Sequence, residues 1–222
     1  MIKLKTLTLL CSLSLMVSTV SAQETKKVTR KEKVNYLNIK ETFEVLKSDP
    51  EVKHGSYSLS FSGYSENGQY DQGKKTGIWE CYNRGKLVHK YDFSTGLFSE
   101  ETAPKMVVKI TMLDDQGNAV KALTPRNIYL GGDAKMISVL VQSIRYPATA
   151  QQKNTQGKVH ITALLSKDGK LIDEKAETNI GDGLEEEALR VFRLYPADWV
   201  PVIEDGKPVS VKVELLIGFS LA

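Results

Sequence analysis

The longest unbroken alternation in the chain lies near its C-terminal end. Val209, Val211, Val213, Leu215, Ile217 and Phe219 alternate with Ser210, Lys212, Glu214, Leu216, Gly218 and Ser220. A period of two predicts a strand with one buried face. A second alternation places Val159, Ile161, Ala163 and Leu165 opposite His160, Thr162 and Leu164. The Asp168-Gly169 step then predicts a hairpin, with a return strand over Leu171 to Thr178. Two stretches change to helical spacing. In the first, Met136, Val139, Leu140 and Ile144 form one stripe, with Asp133 placed to cap the free N–H groups of the first turn. In the second, Leu184, Ala188, Val191, Phe192 and Tyr195 share a side, and Glu185 to Glu187 sit where a helix dipole favours acids. Pro147 ends the first helix and biases Tyr146 toward an extended conformation; a short helical stretch follows before Gly157. The order is helix, strand, strand, helix, strand. That order predicts an α+β layer, with helices on one face of a three-stranded antiparallel sheet and the other face wet.

The first half has a different texture. From Tyr57 to Phe98 it is rich in Gly, Tyr and Ser, with turn signals at Glu66-Asn67-Gly68, Gln72-Gly73-Lys74, Asn83-Arg84-Gly85 and Thr95-Gly96. Short runs between such turns predict an antiparallel β-meander. A strand over Met106 to Leu113, the Asp114–Asn118 turn and Pro125 are read as the close of this unit. The expected organisation is a leader over 1–22, a polar, helical segment over 23–50, a β-hairpin domain over 51–124, a linker over 125–130 and the α+β domain over 131–222.

Charge and chemistry refine this picture. Lys3 and Lys5, the apolar "LTLLCSLSLMVSTV" and the small residues before Gln23 predict a cleavable export signal. The apolar run is about 14 residues, short of the roughly 20 that span a bilayer. A periplasmic location follows, with retention in the inner membrane if the leader stays uncleaved. Removing two lysines takes the net charge from +3 to +1, a balance that argues against a nucleic-acid binder. One cysteine survives, Cys81; it reads as a packed apolar residue between Trp79 and Tyr82. Asp114 and Asp115 at a Gly-containing turn read as turn formers, and His54, His89 and His160 lie far apart. No nucleophile–base set, metal-ligand spacing, cofactor motif or small-molecule substrate site is visible, so the expectation is a protein that is not an enzyme and carries no cofactor or metal.

Two resemblances add to this reading. "GKKTGIWECYNRGKLVHKYDF" resembles the MORN repeat through Gly73, Gly77, Trp79, Tyr82 and Gly85, which implies a β-hairpin array used as a spacer or contact surface. The second half resembles the C-terminal domain of the energy transducer TonB, in the form found in Bacteroidetes. The series runs through Tyr146-Pro147, Gly157-Lys158-Val159, Lys167-Asp168-Gly169, Leu184 with Glu187-Ala188, Trp199-Val200-Pro201, Gly206-Lys207-Pro208-Val209 and the strand to Phe219. That resemblance implies binding of an extended segment, the TonB box of outer-membrane receptors or a segment of another envelope protein, by pairing with an open sheet edge. By position, the contact residues would be Arg145, Tyr146 and Pro147 with Val209, Ser210, Val211, Lys212, Val213, Glu214 and Leu215. The alternative is a non-transducing envelope module that forms homodimers through the same edge. A full transducer of this family also carries a membrane anchor and a Pro-rich spacer, whereas here seven prolines are scattered along the chain.

Overall fold

A computed structural model of the chain describes residues 23–34, 37–101, 104–194 and 198–221. The leader over 1–22 and Tyr195 lie outside the described residues. Seven strands come first: β1 (Thr25–Val34), β2 (Leu37–Leu46), β3 (Lys53–Phe61), β4 (Tyr64–Asp71), β5 (Lys74–Asn83), β6 (Lys86–Asp92) and β7 (Leu97–Glu101). They pair antiparallel in chain order as one sheet, the expected meander. The expected helical segment over 23–50 is instead the β1–β2 hairpin. Its apolar residues follow period two, with Phe43 and Val45 buried and Val28 set opposite Phe43, which presents one apolar face to the sheet and no helical stripe.

The turns fall at Gln72-Gly73, Arg84-Gly85 and Thr95-Gly96 as expected, but Glu66-Asn67-Gly68 lies inside β4. The turn before it is Ser62-Gly63. Gly68 is needed for space, since a Cβ there would lie 2.2 Å from the Trp79 ring. Trp79 fills the centre of this core with Tyr57, Tyr64, Cys81 and Tyr91. Burial pushes the Cys81 thiol up to about 12, which fits a packed and unreactive sulfur.

The second sheet has five strands where three are expected. It contains β8 (Val107–Leu113), β9 (Ala119–Leu123), β10 (Gly157–Leu165), β11 (Leu171–Ala176) and β14 (Val211–Phe219), in the order β11-β10-β14-β8-β9. β8 and β9 therefore complete the C-terminal sheet, and the boundary near residue 124 is displaced to before β8. The physical reason is burial: Val107 and Ile110 join the core of Val211, Val213 and Leu215. A small hairpin, β12 (Val202–Glu204) with β13 (Lys207–Val209), precedes β14. Three helices, α1 (Gly132–Ser143), α2 (Ala148–Lys153) and α3 (Leu184–Phe192), accompany the sheet. Leu184, Ala188, Val191 and Phe192 are buried as expected. The whole is mostly strand with few helices, a long antiparallel sheet followed by a helix-plus-sheet region, consistent with α+β.

α1 packs against both sheets. Met136 joins the core of the second sheet, while Val139 joins that of the first. Its N-terminus is uncapped by any side chain; Asp133 accepts the Lys105 N–H instead. Gly131 and Gly132, both at positive φ, allow this approach, because a Cβ on either would strike Tyr64 Oη or His89 Nε2. Lys135 then reaches Glu66 of β4 and Asp198, each at 2.8 Å, and Lys75 of β5 meets Asp198 at 2.8 Å.

Candidate partner-binding site

β14 carries most of the residues expected to bind a partner, yet most of its length is enclosed. β10 pairs along one side from Val211 to Phe219, and β8 pairs along the other from Val211 to Leu215. Val211, Lys212, Val213, Glu214 and Leu215 thus lie inside the sheet and offer no open edge to a receptor segment or to a second copy. Val209 is in β13, opposite Val202, and the Ser210 carbonyl accepts the Leu113 N–H. The side chain of Glu214 lies on the face away from the buried valines, where it meets Lys109 at 2.9 Å and His160 at 3.2 Å. The alternation in sequence identified the buried face of this strand; it carries no information on how many neighbours the strand has.

The enclosure ends at Leu216. Its N–H donates to the Met106 carbonyl, and among the described residues no strand pairs with Ile217, Gly218 or Phe219 on that side. Backbone groups alternate sides along a strand, so the N–H and C=O of Gly218 face the same way as those of Leu216. Gly218 is exposed, and nothing lies within 4 Å of where its Cβ would be. Beside this short rim lies a groove of about 280 Å³ lined by Met106, Ile137, Leu140, Val141, Ile144 and Ile217. Ile137 is 44% exposed and Val141 69%. These two residues fall off the stripe of Met136, Val139, Leu140 and Ile144, and the breadth of apolar residues around α1 was the signal in the sequence for a second exposed face.

The Arg145-Tyr146-Pro147 segment borders the same end of β14. Tyr146 meets Phe219 edge to face with ring centroids 5.8 Å apart, and its hydroxyl donates to the Thr155 carbonyl at 2.7 Å. Glu187 of α3 holds the segment in place. It accepts the Arg145 N–H and pairs with the Arg190 guanidinium at 2.7 and 2.8 Å. Burial alone would raise the Glu187 carboxyl; Arg190 and the Arg145 N–H outweigh it and hold the group below its ordinary value. Of the acids expected to answer the helix dipole, Glu185 also accepts the Ile180 and Gly181 N–H groups.

Other candidate groups are structural. Asp114 accepts the N–H groups of Gln116 and Asn118 and shapes its turn. No group of three or more His, Cys, Asp or Glu among the described residues is arranged to hold a metal ion. No helix among them is long and apolar enough to cross a membrane.

The second sheet, its two longer helices and an apolar rim at the end of one strand define a small α+β domain. Residues 142–221 match the family model described as the Gram-negative bacterial TonB protein C-terminal, so this region is similar to the TonB C-terminal family. The match begins in the last turn of α1 and includes β10 through β14; β8 and β9 fall outside it. Searches of curated proteins and of solved structures returned no match.

Proposed function

We propose that this chain is a periplasmic, TonB-like binding protein, not an enzyme, that takes an extended segment of an outer-membrane receptor or another envelope protein. The segment adds to the sheet at Ile217 to Phe219, and its side chains enter the groove beside α1. The observation that carries this reading is the coincidence of an unpaired strand end, an exposed glycine backbone and an apolar groove at one place. Strand addition draws affinity from backbone hydrogen bonds and specificity from side-chain pockets, and three residues of open edge supply only a short ladder. The groove must then contribute much of the affinity. The meander of β1 to β7, with its MORN-like glycines and Trp79, serves as the spacer that presents the domain, and the N-terminal leader directs export.

The test is titration of the whole chain with TonB-box peptides, followed by amide shifts. A fragment starting at residue 131 would lack β8 and β9. Shifts are expected at Leu216 to Phe219, Ile137 and Val141, and Val141→Glu should weaken binding at least about tenfold without lowering stability, because that side chain is already mostly exposed. Shifts confined to the seven-stranded sheet would rule the reading out.

A further inference from the structure

The first sheet has a second, outward face that the partner site does not use. Phe43, Tyr57 and Trp79 point inward, so residues one step away along each strand point outward. Two ranks of outward residues run straight across the strands. One follows Thr29, Thr42, Ser58 and Asn67, and the other Lys31, Lys40, Ser60 and Ser65, each neighbour being the register partner of the one before. The Thr29 and Thr42 hydroxyls lie 3.3 Å apart, which fixes that rank to one side. Over these four strands neither rank contains an apolar side chain; on β5 the ranks end at Glu80 and Tyr82.

The basic end of this face breaks a rule of sheet stability. Lys31 and Lys40 are direct cross-strand partners, and like charges placed so are destabilising. Lys27 and Lys33 share the face, and all four lysines are exposed with no ion pair among the described residues. Glu44, opposite Lys27, is committed to the Ser56 N–H at 2.7 Å. Lysines on an edge strand blunt unwanted pairing, and that accounts for those on β1. It does not account for Lys40, because β2 is paired on both sides. A local rule broken without structural gain marks a functional position.

We propose that this face binds an anionic polysaccharide, its acidic groups meeting Lys27, Lys31, Lys33 and Lys40 and its hydroxyls meeting the Ser, Thr and Asn ranks. Strands lie about 4.8 Å apart, so each rank offers a polar group at short, regular intervals to a chain lying across the sheet. A lipid surface is disfavoured, since the ranks hold no apolar residue to insert. A nucleic-acid strand is disfavoured too, since over β1 to β4 the ranks hold no aromatic platform for bases, and beyond the single Tyr82 the next partner on β5 is the acid Glu80.

The test is affinity electrophoresis of the whole chain in gels containing alginate, a carboxylated polysaccharide, with dextran as the neutral control and phosphatidylglycerol vesicles in a parallel flotation assay. Retardation by alginate, none by dextran and no flotation are expected, with binding lost as salt shortens the range of the charges. Lys40→Glu should weaken alginate binding by about tenfold or more, as expected for losing and inverting one of several anion contacts. The same change should leave the melting temperature unchanged or higher, because it turns a repulsive pair into an attractive one. Lys40→Gln should weaken binding less, and Lys207→Glu, an equal charge change on the small hairpin before β14, should not weaken it. Absence of alginate binding, equal retardation by dextran, insensitivity to Lys40→Glu, equal loss in Lys207→Glu, or vesicle flotation that depends on Lys40 would each overturn the proposal.

Discussion

Trp79 is the side chain around which the first sheet is built, and Gly68 is what lets it lie flat against β4. The indole N–H donates to the Gln69 and Thr76 carbonyls, while Tyr57, Tyr70 and Phe93 surround the ring at 5.1, 5.5 and 5.9 Å. Gly68→Ala must push either this ring or the strand aside. Overpacking of this kind costs about 1–3 kcal/mol or more, so the melting temperature should fall by roughly 2–12 °C at the usual sensitivity for a chain of this size. Gly218→Ala is the control. Its Cβ meets nothing within 4 Å, and it should change the melting temperature little. The sequence marked both residues as glycine but placed Gly68 in a turn. A glycine in an Asn-Gly pair has two physical uses, positive φ and absence of bulk, and only the position of Trp79 distinguishes them.

At the level of elements, the β8–β9 hairpin decides how much of β14 is open. The sequence suggested its first strand, over Met106 to Leu113, but not the second, Ala119–Leu123. The destination of the hairpin was not legible either, because period two reports which residues are buried and is silent on which strand lies alongside. Sequence proximity suggested the preceding meander; the buried side chains of Val107 and Ile110 instead complete the second core. A measurable pattern follows from this pairing. The amides of Lys212, Glu214 and Leu216, on the β8 side, should exchange slowly with solvent, and that of Gly218 fast, despite membership of one strand. Ile110→Ala, made at a fully buried site, should cost about 2–5 kcal/mol and accelerate exchange at 212 and 214 more than at the β10-facing amides. Uniform protection along β14 would show that its far end is covered after all, and the partner site would fail with it.

For the molecule as a whole, the two sheets are joined by a buried charge cluster that no local pattern announces. Lys135 sits within an apolar helix, Glu66 within a strand and Asp198 in the segment before Trp199; nothing in their spacing suggests that they meet. Burial alone would lower the Lys135 ammonium, but Glu66 and Asp198 outweigh it and hold it well above its ordinary value. Burial likewise opposes ionisation of Asp198, and Lys135 with Lys75 outweighs it, holding the carboxyl well below its ordinary value. The sign of the pH dependence follows. Asp198 binds its proton less well in the folded than in the unfolded chain, so its contribution is fully present above the unfolded carboxyl value of about 4 and is lost as pH falls through the folded one. Lys135 binds its proton better when folded, so its contribution holds below about 10.4 and is lost at higher pH. Lys135→Met should cost about 3–5 kcal/mol near neutrality, because Glu66 and Asp198 are left buried without their shared cation. It should also move the acid loss of stability to higher pH, since the largest charge favouring the Asp198 carboxylate is gone. Asp198→Asn should be less stable than the parent at pH 7 and flatter between pH 5 and 2, because the titrating group itself is absent. Denaturant melts of the three chains across that range distinguish the cases. If all three lose stability in parallel as pH falls, the cluster does not govern the joint between the sheets, and the apolar contacts of Leu130, Val139 and Val200 with the first core hold it instead.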